Sequence, residues 1–547
     1  MSAQKAIAIV MPLALLAVVG CSTSHYRRSA DKEVGAIIAE KGRRVPNMDP
    51  HFTIESQGAV SLEGAPLNET VAEFMGPDGE SERGVPVISL KRALQLAVKH
   101  NRSYQNAKEK VYLAALSLTL SRHQFTPIFS AGADTAYGEI YDESAVTRQI
   151  SAGGELRASW LIRDIGKITA AFTTDFLRFL SGDPRSVISS QLGATFTRPL
   201  LRNAGYLAEK EALTQAERDV LYELRDFVLF RKNFSVQVAT AYYGVLSNRD
   251  AIRNSYLNLQ SSRKAAERGR ALAEEGRLNQ SDLGRLQQQV LSAETAWVNA
   301  IRTYKKALDD FKILIGIPVS TKLLLDDREL TELKIIHPRI DVEEAIRVAL
   351  TARLDYQNRC DEAADAERRI QLAANKFLPQ LDLKANVNLY TDAQGHFALP
   401  STRNYTWSAG TSLDLPLDRK AERNAYRAAL IARDRALREQ TLLADQIALQ
   451  VREAHRALEQ AKRNYEISEL SVQLAQRRVE EQELLAELGR AKAQDQVDAQ
   501  NDLARSKDQR TQALVNHTIA RLQFWNSVGI LFIKEDGQWE ETHETAR

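Results

Sequence analysis

Two hydrophobic periods alternate along this chain, and each occurs twice. Leu90, Ala93, Leu94, Ala97 and Val98 recur at the spacing of an amphipathic helix, which predicts helix over 89–124 with Ser89 as its N-cap. Pro127 ends that pattern, because its ring and missing N–H stop helical propagation. Beyond it the period drops to two. Phe129–Tyr137 and Ile188–Pro199 alternate apolar with polar, and two further alternating runs lie between them at roughly 150–162 and 167–180. Arg163-Asp164-Ile165-Gly166 and Ser181-Gly182-Asp183-Pro184 read as turns. Helical spacing then resumes over 204–275 and 280–315. In the first of these helices Leu213, Val220, Phe227, Phe234 and Ala241 form one heptad line. Leu224, Val238, Val245, Ile252, Leu259 and Ala266 form another, interrupted by Arg231, so the pattern is that of a coiled coil. A helix of this length spans on the order of 100 Å.

The whole pattern is duplicated. With one offset of 252, Ile88 meets Ile340, Ala93 meets Ala345, Tyr104-Gln105-Asn106 meets Tyr356-Gln357-Asn358, and Pro127 meets Pro379. In the second copy Asp341 and Glu344 form a capping box. Leu381, Leu383, Ala385, Val387 and Leu389 alternate with polar residues, as do Tyr405, Trp407, Ala409, Thr411 and Leu413. Each run is about ten residues, the length of a tilted membrane strand. Long helices follow at 419–487 and 491–527. The offset falls to 217 at Pro199/Pro416 and to 213 at Gly276/Gly489, so the length difference lies in the first strand region. The repeats therefore cover 88–318 (strands about 128–199) and 340–530 (strands about 380–415), with a linker at 319–339 and a tail at 531–547. A repeat this long is a large supersecondary unit, not a short-period solenoid.

The N-terminus adds a location. Lys5 followed by the apolar run Ala6–Val19 reads as a signal peptide over 1–20, too short to span a bilayer as a mature helix. Val18-Val19-Gly20-Cys21 resembles a bacterial lipobox, which makes Cys21 the lipid-bearing first residue; the alternative is an ordinary signal with a chance cysteine. Ser22, in place of Asp, favours the outer membrane. Residues 21–87, with Pro46, Pro50, Pro66, Pro77 and Pro86, read as an irregular tether. The only other cysteine, Cys360, leaves no disulfide framework or cysteine metal site. The 73 Lys and Arg balance 71 Asp and Glu, which points away from a nucleic-acid partner. There is no Gly-rich phosphate loop, metal-ligand cluster or Ser/His/Asp set, and the nine histidines are scattered, so no catalysis and no cofactor are expected.

The ordered, duplicated motifs resemble the TolC-type outer-membrane efflux family. Those carrying the resemblance are LKRALQLAVKHN and VEEAIRVALTAR, Phe125-Thr126-Pro127 and Phe377-Leu378-Pro379, the hairpin Glu275–Leu283, and its Leu314-Ile315-Gly316-Ile317-Pro318 close. The resemblance covers about 88–530. It implies a mainly α fold with a transmembrane β-barrel portion. It also implies a homotrimer in which each copy adds strands to one shared outer-membrane barrel and helices to one periplasmic α-barrel tunnel. The partners it implies are a periplasmic adaptor and an inner-membrane transporter, and the role is passive conduction in efflux or type I secretion. In the family the hairpin tips close the tunnel and dock the adaptor. Here they hold Gly276, Arg277, Asp282 and Arg285, and Gly489, Arg490, Asp495 and Asp498. Rings of these carboxylates would raise local cation concentration; the plainer reading is solvated tip charge. Two strands per repeat would give a twelve-stranded barrel. The extra runs at 150–180 either widen it or form an accessory hairpin. The rival class is a periplasmic coiled-coil structural or adaptor lipoprotein.

Overall fold

The computed structural model describes residues 22–540 except 55–57, 59–61, 143–144, 182–185, 339, 392–399, 489, 491 and 535. The expected signal peptide, Cys21 and Gly489 lie outside the described residues. Element order is α1 (Thr23–Gly42), β1 (Val87–Ile88), α2 (Leu90–His100), α3 (Arg102–His123), β2 (Ile128–Asp142), β3 (Ala145–Ile162), β4 (Gly166–Phe179), β5 (Ser186–Pro199), α4 (Leu207–Glu274) and α5 (Gln280–Leu314). After β6 (Leu324–Leu325) the order repeats as α6 (Val342–Ala352), α7 (Leu354–Asn375), β7 (Gln380–Tyr390), β8 (Tyr405–Asp414), α8 (Lys420–Glu487) and α9 (Ala493–Val528). A short pair, β9 (Phe532–Ile533) and β10 (Trp539–Glu540), closes the chain. Among the described residues no helix is long and apolar enough to cross a membrane.

The chain forms two compact units. One draws on residues up to Arg44, Tyr112–Glu223 and Arg359–Gln440; the other on Val45–Val111, Leu224–Asn358 and from Thr441 onward. The first holds the six large strands in one antiparallel sheet of order β2-β3-β4-β5-β7-β8. The runs that were open in sequence, at 150–162 and 167–180, are therefore strands of the same sheet, lying between β2 and β5.

The second unit is helical and carries the pseudo-symmetry. The helix expected over 89–124 is two helices, because Asn101 caps the second: its Oδ1 accepts from Tyr104 N–H at 2.8 Å. The Asn101 amide donates to the Leu314 carbonyl at 2.7 Å. Gly316, at φ 78°, lies so close that a Cβ there would sit 2.3 Å from the His100 carbonyl. The same joint recurs in the second repeat. There Arg353 separates α6 from α7 and its guanidinium reaches the Ser527 carbonyl, beside Gly529 at φ 86°. The packed core around it comprises Ala345, Ile346, Ala349, Ile447, Val451, Leu458, Phe524 and Val528.

The irregular tether expected over 21–87 is a correction. Thr23–Gly42 is helical and buries Val34, Ile37 and Ile38 in the first unit, where Lys41 and Arg122 both pair with Glu217. In the second unit β1 pairs in parallel with β6, and Trp297 donates to the Phe74 carbonyl at 2.8 Å. From Pro46 onward the prolines forbid helix continuation without forbidding packed turns. Thr23–Gly42, by contrast, holds no proline and buries only Val34, Ile37, Ile38 and Lys41, too short an apolar stripe to mark a helix by period.

Candidate functional site

Two regions carry functional interest, and each belongs to one unit. The first is the sheet. Strand register aligns the alternation of all six strands. Trp160, Ala158, Leu156, Gly154, Ala152 and Ile150 of β3 stand opposite Ile168, Ala170, Phe172, Thr174, Phe176 and Arg178 of β4. Phe196, Ala194 and Leu192 of β5 continue the rows, as do Ala385, Val387 and Leu389 of β7 and Ala409, Trp407 and Tyr405 of β8. Phe129, Ala131 and Tyr137 complete them on β2. One face is thus a predominantly apolar band, broken by Thr135, Thr174 and Ser190 and bordered by Arg178, and it is exposed: Phe129 is 78% accessible, Leu156 59% and Trp407 70%. In a water-soluble sheet such a face is covered. Towards the β2–β3 turn the band ends in Tyr137, Tyr141 and the Glu139–Arg148 ion pair at 3.0 Å.

The opposite face is polar at mid-strand. Asp134, Ser151, Glu155, Arg157, Thr173, Asp175, Gln191, Lys384, Asn386 and Asn388 alternate with the band. Gly153 leaves room for its cross-strand neighbour, since a Cβ there would meet Asp134 Oδ1 at 2.6 Å. Both outer strands of the sheet, β2 and β8, have one unpaired edge among the described residues. They run antiparallel to each other, because every neighbouring pair in the sheet is antiparallel and the strand number is even.

The β3–β4 turn is held to the rest of its unit. Asp164 adopts φ 60° and its carboxylate accepts from Lys210 Nζ at 2.8 Å. The Arg163 guanidinium lies 5.1 Å from the Phe125 ring centre, and Trp160 Nε1 donates to the Phe125 carbonyl at 3.2 Å. Gly166 is required by contact: a Cβ would lie 2.3 Å from the Phe196 ring.

The second region is the pair of helical-hairpin tips. Gly276 at φ 73° ends α4, and Arg277 N–H returns to the Leu272 carbonyl at 2.8 Å. Asn279 caps α5 by accepting from Asp282 N–H at 2.7 Å, while its own amide donates to the Asp282 carboxylate at 2.7 Å. Asp282 thus has a capping role, with Arg285 4.0 Å away. Arg277 pairs with Glu275 at 3.4 Å. At the second tip Arg490 N–H bonds the Leu485 carbonyl, and Asp498 accepts from Gln494, one turn earlier in α9. Asp495 lies in the first turn of α9, where a carboxylate suits the helix dipole. Among the described residues no hydrogen bond or ion pair joins one tip to the other.

Polar groups inside the helical unit escaped the sequence reading. Arg249 is buried and binds Glu82 through both terminal nitrogens, at 3.0 and 2.8 Å, and Asp327 through Nε at 3.1 Å. Arg231, which interrupts the heptad line, donates to the carbonyls of Asn47 and Ile533 and so ties the C-terminal strand to the 47 turn. Asn254 donates to Asp508 at 2.8 Å, while Thr511 donates to Asp250 at 2.8 Å. Burial pushes Asp508 up to about 6, with the Asn254 amide opposing and the Asp250 charge adding. Burial holds the His517 imidazole down at about 4, and its neighbours His337, Arg521 and Lys462 act the same way. The available signal was acidic and amide side chains at inward helical positions, which outward-facing charges imitate.

No family model and no curated protein matches the chain. Solved structures do. The Campylobacter jejuni CmeC outer membrane channel is 13% identical, covering 91% of this chain and 96% of its own, with a TM-score of 0.60. The outer membrane protein VceC of Vibrio cholerae is 14% identical over 80% and 96%, also at 0.60. The open state of the Neisseria gonorrhoeae MtrE outer membrane channel is 14% identical over 82% and 90%, at 0.59. The chain has the fold of these channels.

Proposed function

We propose that this chain, sharing the fold of TolC-type outer-membrane channels, is itself an outer-membrane channel that conducts solutes passively. The observation that carries the reading is the exposed apolar band on one face of a sheet with two unpaired edges. Lipid accepts such a face, but it accepts no open edge, because unpaired backbone groups are too costly there. Six strands are fewer than the eight of the smallest membrane barrels. The β8 edge of one copy therefore pairs with the antiparallel β2 edge of the next, and three copies close the ring as a homotrimer. The polar face then lines the lumen. Cys21 carries the lipid anchor. An inner-membrane transporter and a periplasmic adaptor supply the energy and the cargo, and the adaptor docks at the hairpin tips. Asp495 and Asp498 with Arg490 at the second tip, and Asp282 with Arg277 and Arg285 at the first, form the gate.

The test uses the full-length protein. It should sediment with outer membranes, run as an oligomer in unheated detergent gels and as a monomer after boiling, and open channels in planar bilayers. A soluble periplasmic monomer would favour the coiled-coil adaptor reading instead. Replacing Asp495 and Asp498 by Asn should raise single-channel conductance. Unchanged conductance and cation selectivity would remove the gate role and leave the channel standing.

A further inference from the structure

We propose that β3 and β4 are full wall strands of the barrel, so that three copies build an eighteen-stranded pore in place of the twelve-stranded form; this rests on the channel reading above. Three independent observations place the hairpin in the wall. It lies between β2 and β5, so its removal would leave a gap of two strands in the ladder. Its residues keep the same faces as the duplicated strands: Ala152, Leu156, Ala170 and Phe172 fall in the apolar rows, and Ser151, Glu155, Thr173 and Asp175 in the polar ones. A one-residue slip would have inverted every one of these positions. Its turn is fixed by Asp164 to Lys210 and by Arg163 against Phe125, where an accessory hairpin would project freely.

Two added strands preserve an even number per copy, so ring closure stays antiparallel at the β8–β2 seam. Barrel diameter grows roughly linearly with strand number, and barrels of 16–18 strands enclose an aqueous channel. The bore is thus about one and a half times as wide as that of a twelve-stranded barrel, and its cross-section about twice as large. The inserted strands bring both signs of charge to the lumen through Glu155, Arg157 and Asp175. The chemistry favours bulky hydrated cargo over one charge class.

Thiol labelling in intact outer-membrane vesicles tests this on the full chain, in a Cys360→Ser background with that parent as control. Single cysteines replace Ser151 or Thr173 on the polar face of the hairpin and Ala152 or Ala170 on its apolar face. Asn386→Cys and Ala385→Cys report the same two faces of β7. A charged, membrane-impermeant thiol reagent should modify positions 151, 173 and 386 and spare 152, 170 and 385. If 386 and 385 alternate but all four hairpin positions react, the hairpin stands in water; the wider barrel is then overturned and the channel survives. If all six react, both readings fall. Excision of residues 145–180, with a short turn in their place, should lower the size cut-off for neutral polymers entering from the barrel side, reducing the admitted radius by about one third. An excised chain that still conducts with an unchanged cut-off would also overturn the wider barrel.

Discussion

Asp508 sits inside the helical unit with one amide partner, Asn254, and with the like charge of Asp250 nearby. Its folded-state pKa of about 6 lies above the usual 3.8, so the folded chain holds the proton more tightly between those values. Stability from this group is therefore largest below the unfolded value and is lost as pH rises through about 6. Asp508→Asn should raise the Tm at pH 8 by the equivalent of on the order of 1 kcal/mol, after discount for partial exposure, and change it little at pH 4. An equal shift at both pH values would mean that packing, not ionisation, is responsible. His517 has the opposite sign: its lowered pKa makes stability fall as pH drops through the window from 6.5 to about 4. Neither shift was legible in the sequence, because an Asp or His in a polar helix pattern looks the same whether it faces water or a neighbouring helix.

Elements were more legible than residues. The change of period from 3.6 to 2 at Pro127 and Pro379 marked the strands, and the heptad lines marked helices that run Leu207–Glu274 and Lys420–Glu487. The break at Asn101 was missed because a cap inside a continuous apolar stripe does not disturb the stripe. The glycine joints separate two effects cleanly. Gly316→Ala meets a left-handed φ and a backbone contact at 2.3 Å, whereas Gly276→Ala meets a left-handed φ of 73° and open space. The conformational part alone costs roughly 1–2 kcal/mol. Gly276→Ala should lose about that much, and Gly316→Ala distinctly more, read as Tm of the detergent-solubilised protein. Equal losses would show that the His100 contact relaxes freely.

At the scale of the whole molecule the environment of the sheet decides the cost of a charge. Ala170 and Thr173 lie on the same strand, three residues apart, and face opposite sides. Ala170→Arg places a cation in the lipid-facing band, where the cost near mid-membrane is about 2–4 kcal/mol. Thr173→Arg places it opposite Glu155 and Gln191 on the polar face. The first should sharply reduce the heat-modifiable oligomer in outer membranes, and the second should leave it near the parent level. Equal yields would argue that the band does not meet lipid. The sequence by itself determined the duplication, the strand faces and the helical hairpins, because periodicity is a local property that each segment carries alone. Only the tertiary structure decided that the extra strands join the middle of one sheet, that residues 23–42 form a packed helix, and that Arg231 and Arg249 are buried anchors. Those outcomes depend on which distant groups satisfy a given hydrogen bond or edge, and pairing between remote segments leaves no period along the chain.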